Sequence, residues 1–183
     1  MNRETLDMNS QLIGRCLEGD MKAQFMLYKN YSRAMYNIAL RITGNRMDAE
    51  DVLQESFVTA FGRLEELKNT TFFTSWLKRI VINNSVSLVR KRKLPFDDLA
   101  FSVTEIPEDD HGSEICADPS VVNDAIRDLP DGGRAVLVLH ALEGYRHREI
   151  AEMLGISEST SKSQYRRAIE LLRGSLKNMM DNE

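Results

Sequence analysis

Apolar residues recur along this chain three and four positions apart, and no stretch alternates as a half-buried strand would. Ser10 stands where it would cap a short helix with Leu12, Ile13, Cys16 and Leu17 on its apolar side, ended by Gly19. Asp20 then caps a long helix whose apolar positions are Phe25, Tyr28, Tyr31, Met35, Ile38, Ala39 and Ile42. Gly44-Asn45 ends it, as a left-handed C-cap does. A third helix is predicted from about Asp48, capped by that residue, with Leu53, Phe57, Ala60, Phe61 and Leu64 inward. Thr71 or Thr74 opens a fourth, which buries Phe73, Trp76, Leu77, Ile80, Val81 and Leu88. This block, residues 9–93, reads as all-α.

The pattern lapses after Lys93. Residues 94–118 lack helical periodicity, contain Pro95 and Pro107, and read as a flexible linker. Periodicity returns over 119–178. A short helix holds Asp124 to Asp128 and ends before Leu129-Pro130; an apolar helix around Val136, Leu137 and Leu139 to Leu142 stops at Gly144. A third carries Ile150, Ala151 and Leu154. Gly155 then supplies a left-handed turn, Ile156 plugs the corner, and Ser157 caps a last helix that buries Tyr165, Ala168, Ile169 and Leu172. An alanine-bearing helix, a glycine turn, an apolar plug and a polar-basic second helix make a helix-turn-helix, whose second helix enters the major groove of DNA. The fold class is therefore two small all-α domains, an N-terminal helical bundle and a C-terminal helix-turn-helix, joined by an acidic linker.

Charge changes the picture. The 183 residues carry a net charge of −4, which taken as a whole counts against a nucleic-acid partner. The charge is partitioned, however. From Leu94 to Val122 there are carboxylates at Asp97, Asp98, Glu105, Glu108, Asp109, Asp110, Glu114 and Asp118 and no Lys or Arg, so the rest of the chain is net positive. In contrast, Leu67 to Phe96 contains no acid at all. That stretch holds Lys68, Asn69, Thr70 and Phe72 ahead of the fourth helix, Lys78, Arg79, Asn83 and Ser87 along it, and Arg90, Lys91, Arg92 and Lys93 at its end. Lys and Arg suit the phosphate backbone, and Asn and Ser suit base edges. Phe72, off the apolar stripe, is the stacking candidate. On the last helix Ser159, Thr160, Lys162, Ser163, Arg166 and Arg167 share the face opposite the core.

The third helix carries the reverse sign. Asp48, Glu50 and Asp51 sit in its first turn, where the helix dipole favours acids, and Glu55 and Gln54 extend them. Asp51, Gln54 and Glu55 fall at i, i+3 and i+4, a polar stripe suited to a basic protein surface.

Other chemistry finds little support. Cys16 and Cys116 have no partner at metal-ligand spacing, and Cys16 fits an apolar face. His111 falls in the linker, His140 on the apolar helix and His147 near the turn, none with a nucleophile or carboxylate at useful spacing; each reads as incidental. No glycine loop for phosphate is present, and no cofactor or metal site is implied. The N-terminus lacks an apolar signal core and no run approaches membrane-spanning length, so a cytoplasmic protein is expected. A free-standing helix-turn-helix regulator of transcription is an alternative reading. A regulator of the response type would need alternating strands and a phosphoacceptor in front, and the first block has neither.

Taken together, these motifs resemble a bacterial RNA polymerase sigma factor of the sigma-70 family, in its extracytoplasmic-function group. The family's D-A-E-D-x-x-Q-E-x-F stands as Asp48 to Phe57, and its F-x-x-W-L-x-x-I-x-x-N as Phe73, Trp76, Leu77, Ile80 and Asn83. L-P-x-x-x-R stands as Leu129, Pro130 and Arg134, and E-G-x-x-x-x-E-I-A-E-x-L-G-I-S as Glu143 to Ser157; Ser163, Arg167 and Ala168 carry the ending. The resemblance implies that Asp48, Glu50, Asp51, Gln54 and Glu55 dock on the β′ clamp helices of core polymerase. It implies that residues 68–93 read and open the −10 promoter element, with Lys68 to Phe72 holding a flipped base. It also implies that 119–178 binds the β flap and reads the −35 element, and that an anti-sigma protein is a partner. Four positions depart from the family pattern. Ser87 stands for Asp, which would alter −10 preference, and Gln164 for Arg, which removes a cation from the DNA face. Arg146 stands for a Ser or Thr cap, which would weaken a helix start, and Ser161 for a buried Val, which predicts lost packing.

Overall fold

The computed structural model describes residues 3–92 and 119–180, with side chains over 9–92 and 120–178. Lys93, the linker over 94–118, His111 and Cys116 lie outside the described residues. Within them every regular element is helical. The helices are α1 (Arg3–Leu17), α2 (Met21–Thr43), α3 (Arg46–Gly62), α4 (Phe73–Lys91), α5 (Pro119–Arg127), α6 (Asp131–Leu137), α7 (His147–Leu154) and α8 (Glu158–Met180). The chain divides into two units, Met1–Leu88 and Val89–Glu183.

In the first unit α2 is held at both ends as its sequence predicts. Asp20 accepts from the backbone N–H of Lys22 and Ala23 at 2.8 and 3.2 Å, and Gly44 closes the helix with a left-handed φ of 70°. The face between those ends is the expected one at Met35, Ala39 and Ile42, with Tyr31 and Ile38 half-buried. It differs at its start, where Phe25 and Tyr28 are exposed. Ala23, Leu27, Met35, Ala39 and Ile42 are buried, whereas Phe25 is 63% exposed. At about 100° per residue Phe25 lies roughly 200° around the helix from Ala23, so the two cannot share a face. The small residue sets the inward side because it lets a neighbouring helix approach. Ala49 and Ala60 are likewise fully buried on α3, which packs on α2. Around these small residues Leu27, Val52, Phe57, Phe73, Leu77 and Val81 form one core cluster. Each such side chain stabilises the fold by about 1.5–3 kcal/mol.

Tyr31 ties three elements together. Its ring stands edge-on to Phe73 of α4 at 5.3 Å, and its hydroxyl meets Asn9 of α1 and Thr74 of α4. Helix α1 starts earlier than the sequence suggests, at Arg3, which places Ser10 inside it rather than at its cap. The Ser10 hydroxyl is engaged elsewhere, with Thr70 at 2.7 Å.

The second unit is built around α6. Residues 133–139 are buried without interruption, through α6 and into a π-helical turn over Val138–Leu142 that ends at Gly144, φ 78°. A helix apolar on every side belongs at the centre of its unit. Helix α8 crosses it at Gly133, where an added Cβ would meet the Ala168 Cβ at 3.3 Å. The exception in this run is Arg134, 3% exposed. Its guanidinium donates to the carbonyls of Arg127 and Leu129 at 3.1 and 2.7 Å and pairs with Asp131. This fixes the Leu129-Pro130 corner between α5 and α6. Burial pushes the Asp131 carboxyl up, but hydrogen bonds from Arg92 and Arg134 outweigh it and the net shift is downward. Stability from this group is therefore full above the usual carboxylate range and is lost as the pH falls through it to the lowered folded value.

Removing the guanidinium leaves two buried carbonyls and a half-buried carboxylate without it. Arg134→Met should destabilise the second unit by about 3–5 kcal/mol. Urea denaturation followed by amide signals from α6 and α8 measures this, and a loss below about 1 kcal/mol contradicts the role given to Arg134.

Candidate protein-docking and nucleic-acid interfaces

Three exposed faces carry the polar residues singled out in the sequence. On α3 the inward side is Ala49, Val52, Leu53, Ser56, Phe57 and Ala60, which turns Glu50, Asp51, Gln54 and Glu55 to solvent; Asp48 is half-buried. The helix starts two residues before the expected point. Asn45, not Asp48, is its cap: the Asn45 Oδ1 accepts from the N–H of Met47 and Asp48 at 2.8 and 3.3 Å. Asp48 sits in the first turn, where its charge complements the dipole. The exposed Met47 and Val58 border the acidic stripe at its two ends.

The second face belongs to α4 and the turn before it. Its axial rotation is set by Phe73, Leu77, Ile80 and Val81, which are buried; Trp76 and Leu88 are half-buried. Arg79, Asn83 and Arg90 are exposed and Ser87 half-exposed, at steps of four, four and three that keep them on one stripe. Lys91 is exposed and Lys78 half-buried. The neighbouring Asn84 faces the other way and donates to the buried Ser56 Oγ of α3 at 3.0 Å. One asparagine therefore holds the helix in place while the other is offered to solvent.

Ahead of α4, Thr70–Phe72 forms a single 3₁₀ turn. It is pinned at three points: Asn69 Oδ1 accepts from Thr71 N–H at 2.9 Å, Thr70 meets Ser10, and Ser75 Oγ donates to the Phe72 carbonyl at 2.9 Å. The Phe72 ring is 61% exposed on this rigid turn, and Lys68 and Asn69 are exposed beside it. An apolar ring held out in water without covering side chains is a stacking platform in geometry. At the far end Arg92 differs from the rest of the basic run. It donates to Asp131 at 2.8 Å, with both side chains about a quarter exposed.

The third face lies on α8. Gly155 takes φ 70°, and the Ser157 Oγ accepts from Thr160 N–H at 3.0 Å, as the sequence predicts. Ser159, Lys162, Ser163 and Arg167 are exposed, Thr160 and Arg166 half-buried, at spacings that place them around one side of the helix. Lys162 makes an exposed i,i+4 pair with Glu158 at 2.9 Å, an interaction weak enough to exchange for a phosphate. On the inner side Ala168 is buried and Tyr165, Ile169 and Leu172 half-buried.

Two departures from the family pattern acquire a physical account here. Arg146 has no side-chain acceptor, yet its backbone N–H is capped by Glu149 Oε2 at 2.8 Å, half of a capping box that stabilises the start of α7. Ser161 is fully buried, and its hydroxyl is partnered there: its Oγ meets His147 Nδ1 at 3.0 Å. His147 is thus not incidental. The pairing escapes sequence reasoning because the residues are fourteen positions apart on different helices. A polar residue at an otherwise apolar position of α8 is its one trace in the sequence.

The comparisons with known proteins follow the same division of the chain. Residues 27–94 match the model of sigma-70 region 2, and residues 121–172 that of sigma-70, region 4. The ECF RNA polymerase sigma factor SigW of Bacillus subtilis is 30% identical over 94% of this chain and 98% of its own length. The RNA polymerase sigma-H factor of Pseudomonas aeruginosa is 28% identical over 92% and 93%. Among solved structures, the sigma factor RpoE in complex with the anti-sigma factor NepR from Bartonella quintana is similar in fold. Its TM-score is 0.50 at 23% identity, covering 83% of this chain and 95% of that one. The chain belongs to the sigma-70 family of RNA polymerase sigma factors, in its extracytoplasmic-function group. Its function is that of the family: promoter-specific initiation of transcription with core RNA polymerase.

The cap assignment on α3 gives a direct check. Asn45→Ala should lower the stability of the first unit by about 1 kcal/mol through loss of the side-chain acceptor for two backbone N–H groups. Asp48→Ala, which leaves the cap in place, should cost less than Asn45→Ala. Thermal unfolding of both variants decides it, and the reverse order would return the cap to Asp48.

Proposed function

We propose that the three faces divide the work of initiation among them. Asp48, Glu50, Asp51, Gln54 and Glu55 of α3 seat the protein on the β′ clamp helices of core polymerase. Lys68, Asn69, Thr70 and Phe72, with Lys78, Arg79, Asn83, Ser87 and Arg90 to Lys93, engage the −10 element. Ser159, Thr160, Lys162, Ser163, Arg166 and Arg167 enter the major groove at the −35 element. The observation that carries this reading is the sorting of charge by helix face. Among the described residues, α3 presents acids outward while the exposed stripes of α4 and α8 present cations with Asn, Ser and Thr.

Each surface matches the chemistry of its partner. Extruding a −10 base costs a few kcal/mol of stacking. A rigid turn with an exposed aromatic offsets that cost without first having to order itself. Phosphate contacts from Arg79, Arg90 and Lys91 supply position and a steep salt dependence, and Asn83 and Ser87 read base edges. Neither DNA face is large. Residues 9–93 and 119–178 act as two domains tethered by 94–118, and seating both on one polymerase raises their effective concentration at the promoter. The carboxylates of the 94–118 sequence disfavour its association with DNA. The protein works by binding, with no catalytic group of its own, in the cytoplasm, and an anti-sigma protein covers its faces when it is idle. The RpoE–NepR assembly of a related fold is the precedent for such a partner.

Asp51→Arg combined with Glu55→Arg should abolish pull-down of core polymerase while far-UV circular dichroism and thermal unfolding stay unchanged, because both side chains are exposed. Retained binding would remove the docking assignment. Arg167→Ala should weaken use of the −35 element by about 1–3 kcal/mol in run-off transcription with core polymerase. Equal transcription from wild type and variant at several salt concentrations would refute that contact.

A further inference from the structure

Beneath the DNA-facing side of α8 lies a cluster of rings that the assignments above do not use. The imidazoles of His140, from the π-helical end of α6, and His147, the first residue of α7, stack with centroids 4.2 Å apart and planes 22° from parallel. Tyr165 of α8 stands edge-on to both, at 4.8 and 5.6 Å. His140 Nδ1 lies 2.8 Å from the carbonyl oxygen of Tyr145. A carbonyl only accepts, so that nitrogen carries a proton. His147 Nδ1 faces the fully buried hydroxyl of Ser161. Three elements of the helix-turn-helix unit thus meet through two hydrogen bonds and three ring contacts.

The cluster has little room for charge. A proton added to His147 would put a cation against the stacked His140 ring and near the Lys162 ammonium of α8. Glu158 of α8, an acid that faces it, is paired with that same Lys162. On its own helix the adjacent Arg148 is exposed and directed at Glu152, 3.5 Å away. Burial, then His140 and Lys162, hold the His147 imidazole below its ordinary value, with Glu158 opposing. The folded unit therefore binds fewer protons here than the unfolded chain. This contribution to stability is complete above the ordinary histidine range near pH ~6.5 and is lost as the pH falls from there to the lowered folded value.

We propose that His147 and Ser161 are positioning residues for DNA recognition: their hydrogen bond, packed under the His140 and Tyr165 rings, sets how α8 leaves the turn, and −35-specific binding is retained at neutral pH and lost in mild acid. This rests on the reading of α8 as the −35 helix. Neither residue touches DNA in this scheme. They act through the orientation of Lys162, Ser163 and Arg167, which follow Ser161 on the same helix. Mild acid alone would favour general attraction to phosphates, so a loss of specificity in acid runs against the simple electrostatic trend.

The test uses the full chain assembled with core polymerase and a promoter mapped by run-off transcription. The affinity ratio between that promoter and a copy with a scrambled −35 element is measured from pH 5.5 to 7.5, which cancels the polymerase's own pH response. Wild type should lose this ratio several-fold as the pH falls across the range. His147→Phe keeps a ring without a titrating nitrogen and should flatten the profile. Ser161→Ala should lower the ratio several-fold even at neutral pH, and Ser161→Thr should restore it. A flat wild-type profile, or an equal acid loss in wild type and His147→Phe, overturns the proposal. A ratio of one at every pH overturns the −35 reading of α8 itself, and the inference with it. Proton NMR of the wild-type chain provides a readout that needs no variant to fold. The His147 ring signals and the Ser161 and Lys162 amides should titrate together, with a midpoint below that of an unstructured histidine; independent titration also overturns the proposal.

Discussion

Every functional face of this protein depends on the rotational setting of a helix, and that setting is decided by what the helix buries. On α4, Phe73, Leu77, Ile80 and Val81 lie inward. Once they do, Arg79, Asn83 and Arg90 have no choice but to face water along one stripe. The hydrogen bond from Asn84 to Ser56 locks the same rotation with a polar contact that tolerates little slippage. A rotation of one residue position, about 100°, would carry Asn83 inward and Asn84 outward and would bury a cation. The apolar core therefore supplies more than stability: it sets the register in which charge is displayed.

The same constraint explains how an acidic chain belongs to a DNA-binding family. Net charge is a poor guide when each helix sorts its residues separately. Acids occupy the exposed side of α3, cations the exposed sides of α4 and α8, and the densest acidic run lies in the linker sequence. Attraction at these distances is governed by local charge, because a Debye length at physiological salt is about 8 Å. An acidic face and two cationic faces can thus coexist on one small chain. Weak exposed pairs such as Lys162 with Glu158 add to this economy, since they cost little to exchange for phosphate.

Much of this was legible in the sequence because the signals are local. Asp20, Gly44, Gly155 and Ser157 do at their helix ends what their residue types predict, and the period of α4 places its polar stripe correctly. What was illegible required either a choice between similar local signals or a partner distant in sequence. Asn45 and Asp48 are both competent caps three residues apart, and packing selects the first. Phe25 looked like core by hydrophobicity, but Ala23 wins that side of α2 because small residues permit close helix approach. Ser10 looked like a cap and instead braces the turn carrying Phe72. His147 and Ser161 each looked like a defect when read alone, one incidental and one a loss of packing. Together they satisfy each other.

The central claim is that helix rotation, set by the core, assigns each exposed face to its own partner. Site-specific photocrosslinking in the assembled holoenzyme on promoter DNA measures this most directly, with a photoreactive residue placed in turn at Glu55, Asn83 and Arg167. The account predicts crosslinks from position 55 to polymerase protein, from position 83 to DNA at the −10 element, and from position 167 to DNA at the −35 element. Crosslinks from positions 83 and 167 to protein alone, or from position 55 to DNA, would contradict it.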